Sequence, residues 1–229
     1  MITKKTAYQY LGDKLILWIN PQTIDYQVDT KWPITQSVQK KVDWLLKPLP
    51  SIKTKAISFL RRRESFVIPD SYYQIPKPIK SNQMYNSILD LIHKRENYKN
   101  SNWYQEMLVH LSRNGEVMHK KILIKCESEL DHFFENYVLD LINSMESDGY
   151  RLDKGAEVGS AMVGTDGELH KSGSGGHRFY SAKILGVKPF PIRIVGVHRC
   201  WFRTLNIPNR SSGLAKLYDA LLEVGEKHQ

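Results

Sequence analysis

Lys171-Ser172-Gly173-Ser174-Gly175-Gly176-His177-Arg178 lies between a stretch that reads as a strand, Glu168–Ser172, and one that reads as a helix, His177–Leu185. Glycines let backbone N–H groups come close to an anion with no side chain in the way. A helix start behind them adds unsatisfied donors and the positive end of the helix dipole. His177 and Arg178 fall in the first helical turn, where both can give charged hydrogen bonds to phosphate oxygens. Arginine there opposes the dipole, which points to a compensating anion. The same letters also fit an exposed flexible loop, so the surrounding order of elements decides.

Downstream, Gly186 stops the helix, Pro189 and Pro191 lead into a strand at Ile192–Val197, and Gly213–Val224 forms a closing helix. Upstream, Val158–Val163 reads as a strand. Thr165-Asp166-Gly167 is a turn of the Asp-Gly type that joins hairpins. Before it, a helix begins at Ser128, with Asp131 three residues on, and carries Leu130, Phe133, Phe134, Tyr137, Leu141, Ile142 and Met145 on one face until Asp148-Gly149. Lys121–Cys126 reads as a short strand ahead of it. Tyr85, Ile88, Leu89 and Ile92, then Trp103, Met107, Leu108 and Leu111, give two further helical faces, the second ending at Asn114-Gly115. These aromatics read as core, not as a base-stacking platform.

Residues 1–80 carry Pro21, Pro33, Pro48, Pro50, Pro69, Pro76 and Pro78, so short strands such as Leu15–Ile19 are expected there and long helices are not. The chain divides into a proline-punctuated, partly helical extension of unassigned role at 1–115, and an α/β domain at 116–229. Aromatics such as Trp103 and Tyr104 suit the extension to a wall over a site. Arg61-Arg62-Arg63, with Lys53 and Lys55, reads as a solvated basic face or an anion contact.

Of 229 residues, 41% are hydrophobic and 25% charged, a balance that supports a packed core and excludes a disordered chain. The formal net charge of +9 favours anionic partners: nucleotides, nucleic acid or acidic surfaces. Cys126 and Cys200 are isolated, with no spacing for a metal site, and suit a reducing compartment. The apolar run Leu15–Ile19 is far too short to span a bilayer, and the N-terminus is a poor signal peptide. These features place the chain in the cytoplasm, with no membrane partner and no oligomeric state specified.

The order helix to Gly149, strand, Asp-Gly hairpin, Gly-Gly-His-Arg, helix to Leu185-Gly186, then Pro191-Ile192-Arg193-Ile194-Val195 resembles the ParB N-terminal/sulfiredoxin-like superfamily. The resemblance covers Ile122–Val197. It implies an α+β fold with a small mixed sheet and flanking helices, preceded here by the irregular extension. It also implies that Gly173, Ser174, Gly175, Gly176, His177 and Arg178 bind nucleotide phosphates. Sulfiredoxins carry a cysteine where this chain has Gly176, and the partition-type members carry Gly-Glu-Arg-Arg with a helix-turn-helix behind it. Neither chemistry is implied here. Members with Asp-Gly-x-His-Arg include a free-serine kinase, and Ser174 stands at that Asp position.

The resemblance therefore implies a nucleotide-dependent phosphotransferase acting on a small-molecule or sugar-like hydroxyl, with ATP or another nucleotide and Mg²⁺. His177 and Glu127 are its catalytic candidates, Glu127 because the superfamily's first strand ends beside the phosphate turn. Glu129, Glu157, Asp166 and Glu168 are further carboxylates, and His198 and Arg199 offer a second anion contact. A carboxylate is needed to orient an acceptor hydroxyl or hold the metal. A non-catalytic nucleotide- or DNA-binding regulator and a nuclease remain the alternatives.

Overall fold

The computed structural model describes residues 1–119, 122–151 and 158–229. It is an α+β protein with a mixed sheet and flanking helices. In chain order the helices are α1 (Lys4–Leu11), α2 (Pro33–Leu45), α3 (Pro50–Arg63), α4 (Gln83–His93), α5 (Asn102–Asn114), α6 (Glu127–Phe133), α7 (Asp140–Asp148), α8 (Gly176–Leu185), α9 (Arg199–Thr204) and α10 (Leu214–Glu226). The strands are β1 (Ile16–Ile19), β2 (Tyr26–Val28), β3 (Val67–Ile68), β4 (Lys77–Pro78), β5 (Val117–His119), β6 (Ile122–Ile124), β7 (Gly159–Val163), β8 (Leu169–Ser172) and β9 (Phe190–His198).

The main sheet runs β1-β9-β7-β8-β2-β4, and β3 continues the β1 edge by pairing with Val197 and His198. β7 and β8 form the hairpin expected from Asp166-Gly167, with Gly167 at φ 85° in its turn. β7 lies parallel to β9, and β2 lies parallel to β8 with Val28 opposite Ser172. Strands from the first eighty residues thus lie on both sides of the hairpin, β2 directly beside β8 and β1 and β3 beyond β9.

The absence of long helices expected in residues 1–80 is overturned. α1, α2 and α3 all lie there, and Pro33 and Pro50 occupy first-turn positions. A proline at that position loses no helical hydrogen bond and arrives with φ already set, so it opens these helices instead of breaking them. The strand expected at Lys121–Cys126 forms at Ile122–Ile124 but pairs only with Val117–His119, outside the main sheet. Extended propensity is local, whereas the choice of partner is not; Lys121 lies outside the described residues.

One hydrophobic cluster joins the two ends of the chain: Ile2, Ala7 and Leu15 pack with Ala161, Phe179, Ile192, Leu217 and Leu221. Trp103, Met107 and Leu111 are buried in it, as their helical spacing predicts. The amphipathic run after Cys126 is helical through Asp148, with a π-type turn at Phe134–Leu139. On the other sheet face a smaller cluster holds Val28, Met162 and Val195 under Tyr73.

Candidate functional site

β8 ends at Ser172, directly across the hairpin from Ser160. The Ser160 hydroxyl donates to the Ser172 carbonyl at 2.6 Å and accepts from the Ser174 amide at 3.2 Å. Lys171 is 2% exposed, and its Nζ donates to the carbonyls of Ser172 and Ser174, both at 2.7 Å. These bonds pin the chain as it leaves the sheet. It then bends through Gly173 at φ 37° and Gly175 at φ 75°, and α8 begins at Gly176.

Gly175 is required twice over. A Cβ at that position would sit 2.6 Å from the Gly159 Cα, at a φ that L side chains rarely adopt. Because the N-cap is glycine, no side chain satisfies the first amides of α8. Those donors, with the helix dipole behind them, form a site for negative charge.

Two cavities meet at the bend. One, of 430 Å³, is lined by Gly173 through Arg178 with Asn82, Tyr137 and Tyr180. Arg178 is half-buried there and makes no ion pair among the described residues. The other, of 350 Å³, lies against the sheet and is lined by Lys31, Trp32, Ser160, Ser174 and Arg193. Ser174 borders both, and its hydroxyl accepts from the Lys31 Nζ at 3.4 Å. Among the described residues no aspartate or glutamate lines either cavity. The Arg193 guanidinium is fixed by the Gly12 carbonyl at 3.2 Å and by exposed Asp13 at 3.1 Å.

Behind Lys31, the Lys4 ammonium is 1% exposed, lies 4.7 Å from the Trp32 ring centroid and donates to the Lys31 carbonyl. Burial lowers its pKa from 10.5 to about 7, against the pull of Glu64 at 3.9 Å. Burial also pushes the Tyr8 phenol, on the wall of the second cavity, up to about 12.

The expected site residues divide. Gly173 through Arg178 come together as one cavity wall. His177 lines that cavity, but its ring stacks on Trp103 at 5.5 Å and meets His119 edge-on at 5.3 Å, so core aromatics hold it. Glu127 lies at the start of α6, behind the separate β5–β6 hairpin, with Oε1 3.5 Å from the Tyr104 hydroxyl. It lines neither cavity, because the strand before it is not the sheet strand that ends beside the turn. That strand is β2, and its next residue is Asp29, whose carboxylate pairs with Lys77 at 3.1 Å. Glu129 accepts from the Lys125 amide, and Asp166 and Glu168 flank the hairpin turn at the far end of β7 and β8. Glu157 lies outside the described residues. His198 and Arg199 stand at the C-terminal end of β9, the opposite end of the sheet from the bend.

Sequence reasoning missed Lys31, Ser160 and Arg193. Each is ordinary in its local context, and only strand pairing aligns Arg193 with Ser160 and Ser160 with Ser172. It also missed a cluster without ligand spacing: the ligand atoms of Asp70, His198 and Cys200 lie within 4.8 Å of one another. There the Cys200 amide donates to His198 Nδ1 at 3.1 Å, capping α9, which leaves the ring proton on Nε2 facing Asp70 at 3.8 Å. Burial lowers the His198 pKa. That tautomer suits a capping histidine and opposes metal ligation through Nε2.

No family model, curated protein or solved structure matches this chain. Among the described residues no helix is long and apolar enough to cross a membrane.

Proposed function

We propose that the chain binds the phosphate groups of a nucleotide at the Gly173–Arg178 bend, on a ParB/sulfiredoxin-like scaffold, and acts as a nucleotide-dependent phosphotransferase on a small-molecule hydroxyl. The observation that carries the proposal is the uncapped start of α8, opening beside Arg178 into a cavity that, among the described residues, no carboxylate lines and where Arg178 makes no ion pair. Phosphate oxygens would accept from the first amides of α8, with Arg178 on one side and Lys31 on the other. The aromatic Tyr137 and Tyr180 give the 430 Å³ cavity walls suited to a nucleobase or sugar. The superfamily resemblance supports the same reading through hairpin, bend, helix and strand in that order.

Phosphoryl transfer further needs a group to orient the acceptor hydroxyl. Asp29 follows the strand next to the bend but lines neither cavity and pairs with Lys77, so no carboxylate of the described residues holds that role. Among the described residues the cavity walls contain no carboxylate for Mg²⁺, so those residues do not fit a protein-held metal. That same absence favours a second reading, a nucleotide- or nucleic-acid-binding regulator without turnover.

Melting curves with nucleoside di- and triphosphates should show stabilisation by mass action, largely lost in Arg178→Ala. An unchanged shift in that variant would remove the proposed site. Release of nucleoside diphosphate only when an acceptor is supplied would establish transfer. A salt-sensitive shift of DNA without turnover would favour the regulator, and metal-dependent DNA cleavage would favour a nuclease.

A further inference from the structure

A cavity of 860 Å³ lies away from the bend, between α2, α3 and α9, and shares no lining residue with the two cavities there. Its walls are apolar: Ile34 and Val38 from α2, Leu60 from α3, Phe202 from α9, and Ile207 beyond it. Arg63 from α3 and Arg199 and Arg203, one turn apart on α9, line it together. None of these arginines makes an ion pair among the described residues; Arg63 packs its guanidinium 4.4 Å from the Phe59 ring centroid.

The one carboxylate in the lining does not answer them. Glu64 is 3% exposed and already accepts from the amides of Ile34 and Thr35 and from the Thr35 hydroxyl, with Lys4 at 3.9 Å. Arginines at helix C-termini are common because they favour the dipole, and Arg63 and Arg203 both sit in last turns. Dipole complementarity does not account for Arg199, at the first position of α9, where a cation is disfavoured.

We propose that this cleft binds an amphipathic organic anion, a carboxylate or phosphate monoester carrying an apolar body. The aliphatic and aromatic walls bury the body, and the arginines hold the head group by charged hydrogen bonds. The volume falls in the range of small-molecule sites, and a ligand with both features satisfies groups that either feature alone leaves unmatched. This site is independent of the nucleotide reading.

Calorimetric titration with decanoate and decyl phosphate, below micelle-forming concentrations, with decanol and inorganic phosphate as controls, tests it. Saturable binding of at least one amphipathic anion, at least tenfold tighter than decanol or phosphate, is expected. Arg199→Gln with Arg203→Gln should weaken that anion at least tenfold and leave decanol unchanged, while Arg199→Lys with Arg203→Lys keeps most of the affinity. Arg178→Ala should leave this binding intact, which separates its failure from that of the nucleotide site. Decanol binding as tightly as both anions, undiminished anion binding in the double glutamine variant, or no saturable anion binding to the unaltered chain would each overturn the proposal.

Discussion

At Gly175 two constraints coincide, a φ of 75° and a gap to the Gly159 backbone too small for a methyl group. Gly115, which closes α5 at φ 73°, has open space where its Cβ would go. Alanine at Gly115 should therefore cost only the left-handed penalty, about 1 kcal/mol. Alanine at Gly175 must also push β7 away, so a loss of more than about 2 kcal/mol is expected in urea denaturation. Equal losses at the two positions would show that the close approach to Gly159 is not real. The glycine run was legible in the sequence as a bend between a strand and a helix, but nothing in it revealed which glycine meets a neighbouring strand.

Between elements, Ser160 joins β7 to the end of β8 and to the bend. Replacing it with alanine removes a donor from the Ser172 carbonyl and an acceptor from the Ser174 amide. A loss of about 1–3 kcal/mol follows if both backbone groups stay dry, and nucleotide affinity should fall with it. A Ser160→Ala protein that keeps full stability would mean that water replaces the hydroxyl. The β7–β8 hairpin, α8 and β9 were readable because each has a local signal: Asp166-Gly167, Gly186, and alternating apolar residues. α2 and α3 were not, because prolines that open a helix look the same in sequence as prolines that break one. Glu127 failed for a related reason. Its position relative to the bend depended on which strand lies beside β8, and β2 takes that place.

Across the whole molecule, Lys4 and Glu64 form a buried charged pair where α1, α2 and α3 meet. A lysine whose pKa falls to about 7 on folding binds fewer protons than the unfolded chain between that pH and 10.5. Stability should therefore rise with pH across that window, and the burdened, fully protonated state is the one below pH 7. Denaturation midpoints at pH 7 and pH 9.5 measure this contribution. Lys4→Met should flatten the rise, and an unchanged slope would assign it to other groups. His170 moves in the same sense at lower pH. Burial depresses its pKa below 6.5, so its contribution is present above that value and is lost on acidification. The Tyr73 hydroxyl lies 2.9 Å from its Nδ1, and His170→Phe should reduce the acid sensitivity measured between pH 7 and pH 5.

The sequence by itself determined the mixed class, the hairpin, the bend with its following helix, and the buried aromatic face of α5. Each of these rests on contacts a few residues apart, where backbone geometry and side-chain period act directly. Tertiary structure decided that the first eighty residues supply strands to both sides of the hairpin. It also brought Lys31 and Arg193 to Ser174, and set Arg63 of α3 beside Arg199 and Arg203 of α9 around one apolar cleft. Pairing between strands far apart in the chain is selected by burial of whole faces, an energy no local stretch carries, so the residues that complete a site this way leave no mark on their neighbours in sequence.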